Sequence, residues 1–128
     1  MENCDRLIQF IDRHTNRGTE ELPEIFGEGV GVEDLGVEYL DRFLDRDWVQ
    51  LQSYWQSQSD YWIEALTLLL GDIDLAQSSN ILVNIVLLGS DESALNAIEY
   101  VRDFIGALNP EVRDRIEAKM STIVSKRF

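Results

Sequence analysis

Asp72-Ile73-Asp74 opens like a calcium-binding loop, with two carboxylates at alternate positions. The pattern then fails: Ala76 stands where a third ligand belongs, Gln77 replaces the turn glycine, and Val83 occupies the place of the bidentate acid. Gly27, Gly29 and Gly31 alternate with Glu28 and Val30, but no Gly-Lys-Ser/Thr follows and the flanking residues are acidic. A phosphate would be repelled there, so the string reads as a loop. The single histidine, His14, falls near the end of a helical segment, where a cation suits the helix dipole. Neither a Ser-His-Asp nor a Cys-His arrangement can be assembled around it. The single cysteine, Cys4, has no neighbouring His or basic cluster to lower its thiol pKa, and it reads as a small apolar residue. The sequence therefore predicts no catalytic residue, no metal and no cofactor, and a protein that is not an enzyme.

Carboxylates dominate what remains. There are 24 acids against 11 bases, a formal net charge of −13. Eight acids and no base occur from Gly18 to Asp41, and eight more acids and no base from Asp47 through Val101. Exposed helices gain from mixed signs four residues apart, and these stretches forgo that gain. The expected use is a basic protein partner, drawn in by long-range attraction. Direct nucleic-acid binding requires a cationic face and is excluded, as is an anionic membrane surface. Aromatic residues provide the second pattern. Trp48, Trp55 and Trp62 recur every seven residues and are expected in the core. Tyr54 and Tyr61 each precede a tryptophan by one residue, about 100° round a helix, at the edge of the buried stripe. The candidate contact residues are thus Tyr54, Asp60, Tyr61, Glu64, Asp72, Asp74, Glu33, Asp34, Glu38 and Asp41.

The elements that carry them are helices. Two prolines in 128 residues leave nearly the whole chain free to be helical. The spacing predicts a first helix from Asn3 to Thr15, closed near Gly18. An irregular stretch follows from Thr19 to Gly31, with Leu22, Ile25 and Phe26 able to dock a short helix. A helix from Glu33 to about Arg46 carries the stripe Leu35, Tyr39, Leu40, Phe43 and Leu44. It is either separate from, or bent into, a segment capped by Asp47. Asp60 is expected to cap Tyr61 to Leu70, with Gly71 closing that helix. A helix from about Leu75 to Leu88, apolar nearly all round, should be covered on several sides. Ser90 or Asp91 starts the next helix, which turns Ala94, Leu95, Ile98, Val101, Phe104 and Ile105 inward. Asn109-Pro110-Glu111 starts the last, with Val112, Ile116, Met120, Ile123 and Val124 on its apolar side.

The expectation is an all-α fold of about six to seven helices in one domain, 1–128. Short turns imply stacked antiparallel hairpins, HEAT-like in rhythm, or else an irregular helical bundle. No apolar run approaches a membrane span, the N-terminus lacks a signal-peptide pattern, and one cysteine permits no internal disulfide. A cytoplasmic location is the corresponding expectation; monomer and dimer remain equally open.

A small acidic helical chain with a Trp-rich stretch from Trp48 to Trp62 and a Leu68-Leu69-Leu70-Gly71-Asp72 turn resembles the immunity proteins of bacterial polymorphic-toxin and contact-dependent inhibition systems. That resemblance implies binding and neutralising a cognate toxin domain, often a nuclease. A nuclease must present a basic groove to its substrate, and an acidic helical face can occupy it. Without the resemblance, the same features fit a HEAT-like adaptor that binds a helix or peptide of another protein.

Overall fold

Asn3–Thr15 forms α1, and its apolar residues Cys4, Leu7, Ile8, Phe10 and Ile11 are all buried. Residues 2–15, 32–73 and 75–127 are described by the computed structural model. The stretch from Gly18 to Gly31, with its cap, short-helix and loop expectations, lies outside the described residues, as does Asp74. Six further helices follow: α2 (Val32–Asp41), α3 (Asp45–Tyr54), α4 (Asp60–Gly71), α5 (Ala76–Leu88), α6 (Asp91–Val101) and α7 (Pro110–Arg127). Short 3-10 turns at Trp55–Ser57 and Ile105–Ala107 complete the described elements. Among the described residues there is no strand. The described residues are all-α, and their seven helices fall within the expected six to seven. No helix is long and apolar enough to cross a membrane among the described residues.

The chain forms two compact units, Met1–Ile73 and Asp74–Phe128. In the first, α2, α3 and α4 all pack on α1. This convergence on one helix is the pattern of an irregular bundle, since a hairpin stack would pair each helix with its sequence neighbours. Close packing of α2 depends on Gly36. A Cβ placed there would lie 2.6 Å from Leu69 Cδ2 and 2.8 Å from Phe10 Cε1. Gly36 thus lets the α2 backbone approach side chains from α1 and α4, which outweighs its low helix propensity.

The region from Glu33 to Tyr54 is two helices, and the expected stripe is only partly buried. α2 stops at Asp41, so Leu44 is no longer in its register and becomes the N-cap of α3. Leu40 is buried, whereas Leu35 and Leu44 are about half exposed, at 46% and 52%. Asp47 is not the N-cap of α3. It occupies the third position of the helix and reaches back, its Oδ2 accepting the Leu44 N–H at 2.8 Å. Asp60 is not a cap either: it lies one residue past Ser59, which holds that place and accepts the Trp62 N–H at 3.2 Å. Gly71 is the last residue of α4, and Asp72, in right-handed conformation, is its C-cap. The seven-residue tryptophan spacing survives the 3-10 turn, and Trp48, Trp55 and Trp62 are all buried.

In the second unit α5 and α6 pack side by side, joined by Gly89 and Ser90. So short a turn makes them an antiparallel hairpin. Ile81, Leu82, Val83, Ile85 and Val86 are buried, covering roughly 200° of the α5 circumference at 100° per residue. Ser90, not Asp91, caps α6, accepting the Ser93 N–H. The inward stripe of α6 ends at Val101. Phe104 and Ile105 follow it in a turn and are only half-buried. α7 begins as its signal requires, with Asn109 Oδ1 accepting the Glu111 N–H at 2.9 Å. Of its apolar side only Ile116 and Ile123 are buried, and Val124 is exposed.

Bases of α7 hold this unit together. Lys119 Nζ donates to the carbonyls of Leu87 and Gly89 at 3.2 and 2.7 Å, capping the C-terminal end of α5, which has no base of its own. Lys126 pairs with Asp91, and Arg127 with Glu92, at the start of α6. Replacing Lys119 by Met keeps the stem and removes both hydrogen bonds. The expected loss is about 1–2 kcal/mol, read from urea unfolding, for charge-assisted bonds that are partly solvated.

Candidate functional site

The outward face of α4 follows directly from its helical register. Trp62, Ile63, Ala65, Leu66, Thr67, Leu69 and Leu70 are buried. Asp60, Tyr61, Glu64, Leu68 and Gly71 fall on the other side, within about 100° of arc. Asp60 is exposed, and Tyr61 and Glu64 are half-buried. Asp72 is exposed just beyond the helix end. Four expected contact residues therefore share one helix face or its terminus.

Tyr54 of α3 packs against Trp62 of α4. Its ring lies 5.4 Å from the Trp62 ring, tilted by 57°. Trp62 Nε1 in turn donates to Asp12 Oδ1 at 2.9 Å, tying α4 to α1. Burial pushes the Tyr54 hydroxyl pKa up, and the nearby Asp12 charge adds to it. Tyr54 thus stays a neutral donor and acceptor. Asp12 was not legible as part of this cluster, because its partner lies 50 residues away.

Glu38 and Asp41 are exposed on α2. Glu33 and Asp34 belong to the same helix, but their side chains are outside the described residues. The structure thus places Asp60, Tyr61 and Glu64 on one face of α4 and Asp72 at its end, sets Tyr54 against the buried Trp62, and leaves Glu38 and Asp41 on a separate helix of the same unit.

The remaining acids sort by structural duty. Asp5 accepts from Gln50 at 3.0 Å and Glu2 pairs with Arg46 at 2.9 Å. Asp47 is fully buried: it accepts from Cys4 N and Leu44 N, and from the Asn3 amide at 3.4 Å. Burial acts to raise its pKa, but these donors and the Arg46 charge prevail and hold it below the ordinary 3.8. Cys4 beside it is pushed up to about 12, first by burial and then by the charges of Asp47 and Asp5. It is an inert thiol, as its sequence setting suggested.

Among the described residues, Asp41 and Asp72 have no such side-chain contact. Asp41 ends α2 and Asp72 caps the end of α4, where the helix dipole is negative and a carboxylate is disfavoured. None of α2 to α6 carries a base in its last turn.

In the second unit an open groove of about 410 Å3 runs between α6 and α7, lined by Ile98, Arg102, Ile105, Ile116, Glu117, Met120 and Ser121. Among the described residues no three His, Cys, Asp or Glu side chains are grouped so as to hold a metal ion. No family model, curated protein or solved structure matches the chain.

Proposed function

We propose that the protein binds a basic protein partner through the outward face of α4, and that it does so as a toxin-neutralising immunity protein. One observation carries this reading: acids stand where folding alone would favour bases. Asp41 and Asp72 oppose the dipoles of their own helices, and α4, which carries Asp60 in its favourable first turn and Glu64 beyond it, has no Lys or Arg. Each carboxylate at a helix C-terminus costs about 0.3–1 kcal/mol, a cost that a binding role explains. The half-buried Tyr54 and Tyr61 supply anchors with an apolar body and a polar tip, the residue type that dominates binding energy at interfaces. Against a nuclease, such a face would occupy the cationic groove that receives phosphates. Like-charge mismatch would penalise the wrong toxin.

The direct test begins by capturing the partner from cells of the same source and measuring its association rate by stopped flow. The double variant Asp60→Lys/Glu64→Lys should associate at least tenfold more slowly at low salt, and the native rate should fall steeply as salt rises. Asp72→Lys should slow association too, while raising stability by about 0.5 kcal/mol. An association rate indifferent to salt and to these charges refutes the reading. Neutralisation itself is read by co-expression, where the chain must suppress the toxicity of its partner.

The groove between α6 and α7 supports a second reading, an adaptor that seats an apolar helix. Its floor of Ile98 and Ile116 is the chemistry of helix-in-groove recognition. That mode predicts affinity lost on Met120→Asp and unchanged by salt.

A further inference from the structure

Asp12, Trp62 and Tyr54 come from three different helices and meet at one point. Trp62 is buried, at 3% exposure, and its indole N–H is committed to Asp12 Oδ1 at 2.9 Å. That bond fixes both the indole plane and the carboxylate. The indole in turn supports the Tyr54 ring at 5.4 Å. Tyr54 and Asp12 are each half-buried, so both keep accessible surface. The indole N–H engages Oδ1 alone, and Oδ2 takes no part in that bond. The result is a tyrosine ring of fixed orientation beside a carboxylate of fixed orientation.

We infer that this notch reads an arginine side chain of the basic partner, its planar guanidinium lying on the Tyr54 ring and donating to the Asp12 carboxylate. The inference rests on the proposed binding role of the first unit's acidic surface and adds what that surface selects. Charge alone does not distinguish arginine from lysine. A flat, weakly hydrated cation with a fork of donors gains from a ring and a carboxylate together, whereas a compact, strongly hydrated ammonium gains less. A notch held by one indole hydrogen bond needs no rearrangement on binding, which limits the entropic cost.

The test uses the full chain and two probes of equal charge, nona-arginine and nona-lysine peptides, titrated at low salt and followed by tryptophan fluorescence. The native protein is expected to prefer the arginine peptide by roughly tenfold. Tyr54→Leu keeps apolar contact with Trp62 and leaves net charge unchanged, yet should bring the two affinities together. Asp12→Asn keeps an acceptor for the indole and should reduce the preference as well. Asp114→Asn, which removes one exposed charge in the second unit, should weaken both peptides slightly and leave the preference intact. If both peptides bind and Tyr54→Leu preserves the preference, or no preference exists, the notch is refuted while the acidic face stands. If neither peptide binds, the acidic face itself is refuted. Circular dichroism of each variant ensures that only folded protein is compared.

Discussion

Replacing Asp47 by Ala is expected to cost about 3 kcal/mol of unfolding free energy and to loosen the N-terminus of α1. This carboxylate satisfies two backbone donors besides the Asn3 amide. Leu44 N–H belongs to the start of α3 and Cys4 N–H to the start of α1, at 2.8 and 3.1 Å. Both are N-terminal amides that the helices cannot satisfy themselves. Both helix dipoles present their positive ends to the same buried charge. Removing the carboxylate leaves one buried and one part-buried donor unsatisfied, at about 1–3 kcal/mol for the buried one and less for the other. Asp47→Asn should cost less, since one amide oxygen still accepts.

The same residue sets a pH dependence. Its folded pKa lies below the ordinary 3.8. The native state therefore binds the proton more weakly than the unfolded chain does. The stabilisation is complete above about pH 5, begins to fade as pH approaches 3.8, and is lost as pH falls through the lowered native value. Urea midpoints of the native protein should drop over that range, and those of Asp47→Asn should drop less. Cys4 gives a local readout. It is buried beside Asp47, with its thiol pushed up to about 12, so native protein should resist thiol reagents at pH 8. Asp47→Ala should be labelled faster under native conditions. Labelling as slow as in the native protein would show that the carboxylate does not fasten α1.

What the sequence made legible was set by the range of the interactions involved. The bounds of α1, the start of α7 and the burial of Trp48, Trp55 and Trp62 follow from periodicity and caps within one or two turns. The position of Ser59 as cap, one residue before Asp60, is a local ambiguity between two good capping residues. The misplaced stripe of Leu35 and Leu44 arises from a helix break at Arg42–Leu44, which no proline or glycine announces. Asp47, Asp12 and Lys119 were out of reach for a different reason. Each acts on a group 30 or more residues away: Cys4, Trp62, and the carbonyls of Leu87 and Gly89. Their types fit many roles, and only the packing of α1 on α3 and α4, and of α7 on α5, selects one. Asp60, Tyr61 and Glu64 were legible as a group because register alone places them on one side of α4.

Gly36 shows how packing can overturn what helix propensity alone would favour. In isolation a mid-helix glycine costs about 1 kcal/mol relative to alanine, so Gly36→Ala should stabilise α2. In the folded unit the added methyl would sit 2.6 Å from Leu69 Cδ2, 2.8 Å from Phe10 Cε1 and 2.9 Å from Leu69 Cδ1. Those atoms are the flexible ends of side chains, but Leu69 is fully buried and Phe10 is 3% exposed. Neither has space to swing away without disturbing α1 or α4. Overpacking of this kind costs about 1–3 kcal/mol, which exceeds the propensity gain. Gly36→Ala should therefore destabilise by roughly 1 kcal/mol, and Gly36→Leu by about 3 kcal/mol or more. The pairing is checked by relief: Gly36→Ala combined with Leu69→Ala should lose less than the sum of the single changes, because the smaller residue vacates the space that the methyl needs. Strict additivity would mean that α2 does not rest on Leu69. Since α2 carries Glu38 and Asp41, and α4 carries Asp60 and Glu64, this contact also fixes how the two acidic helices of the unit are held together.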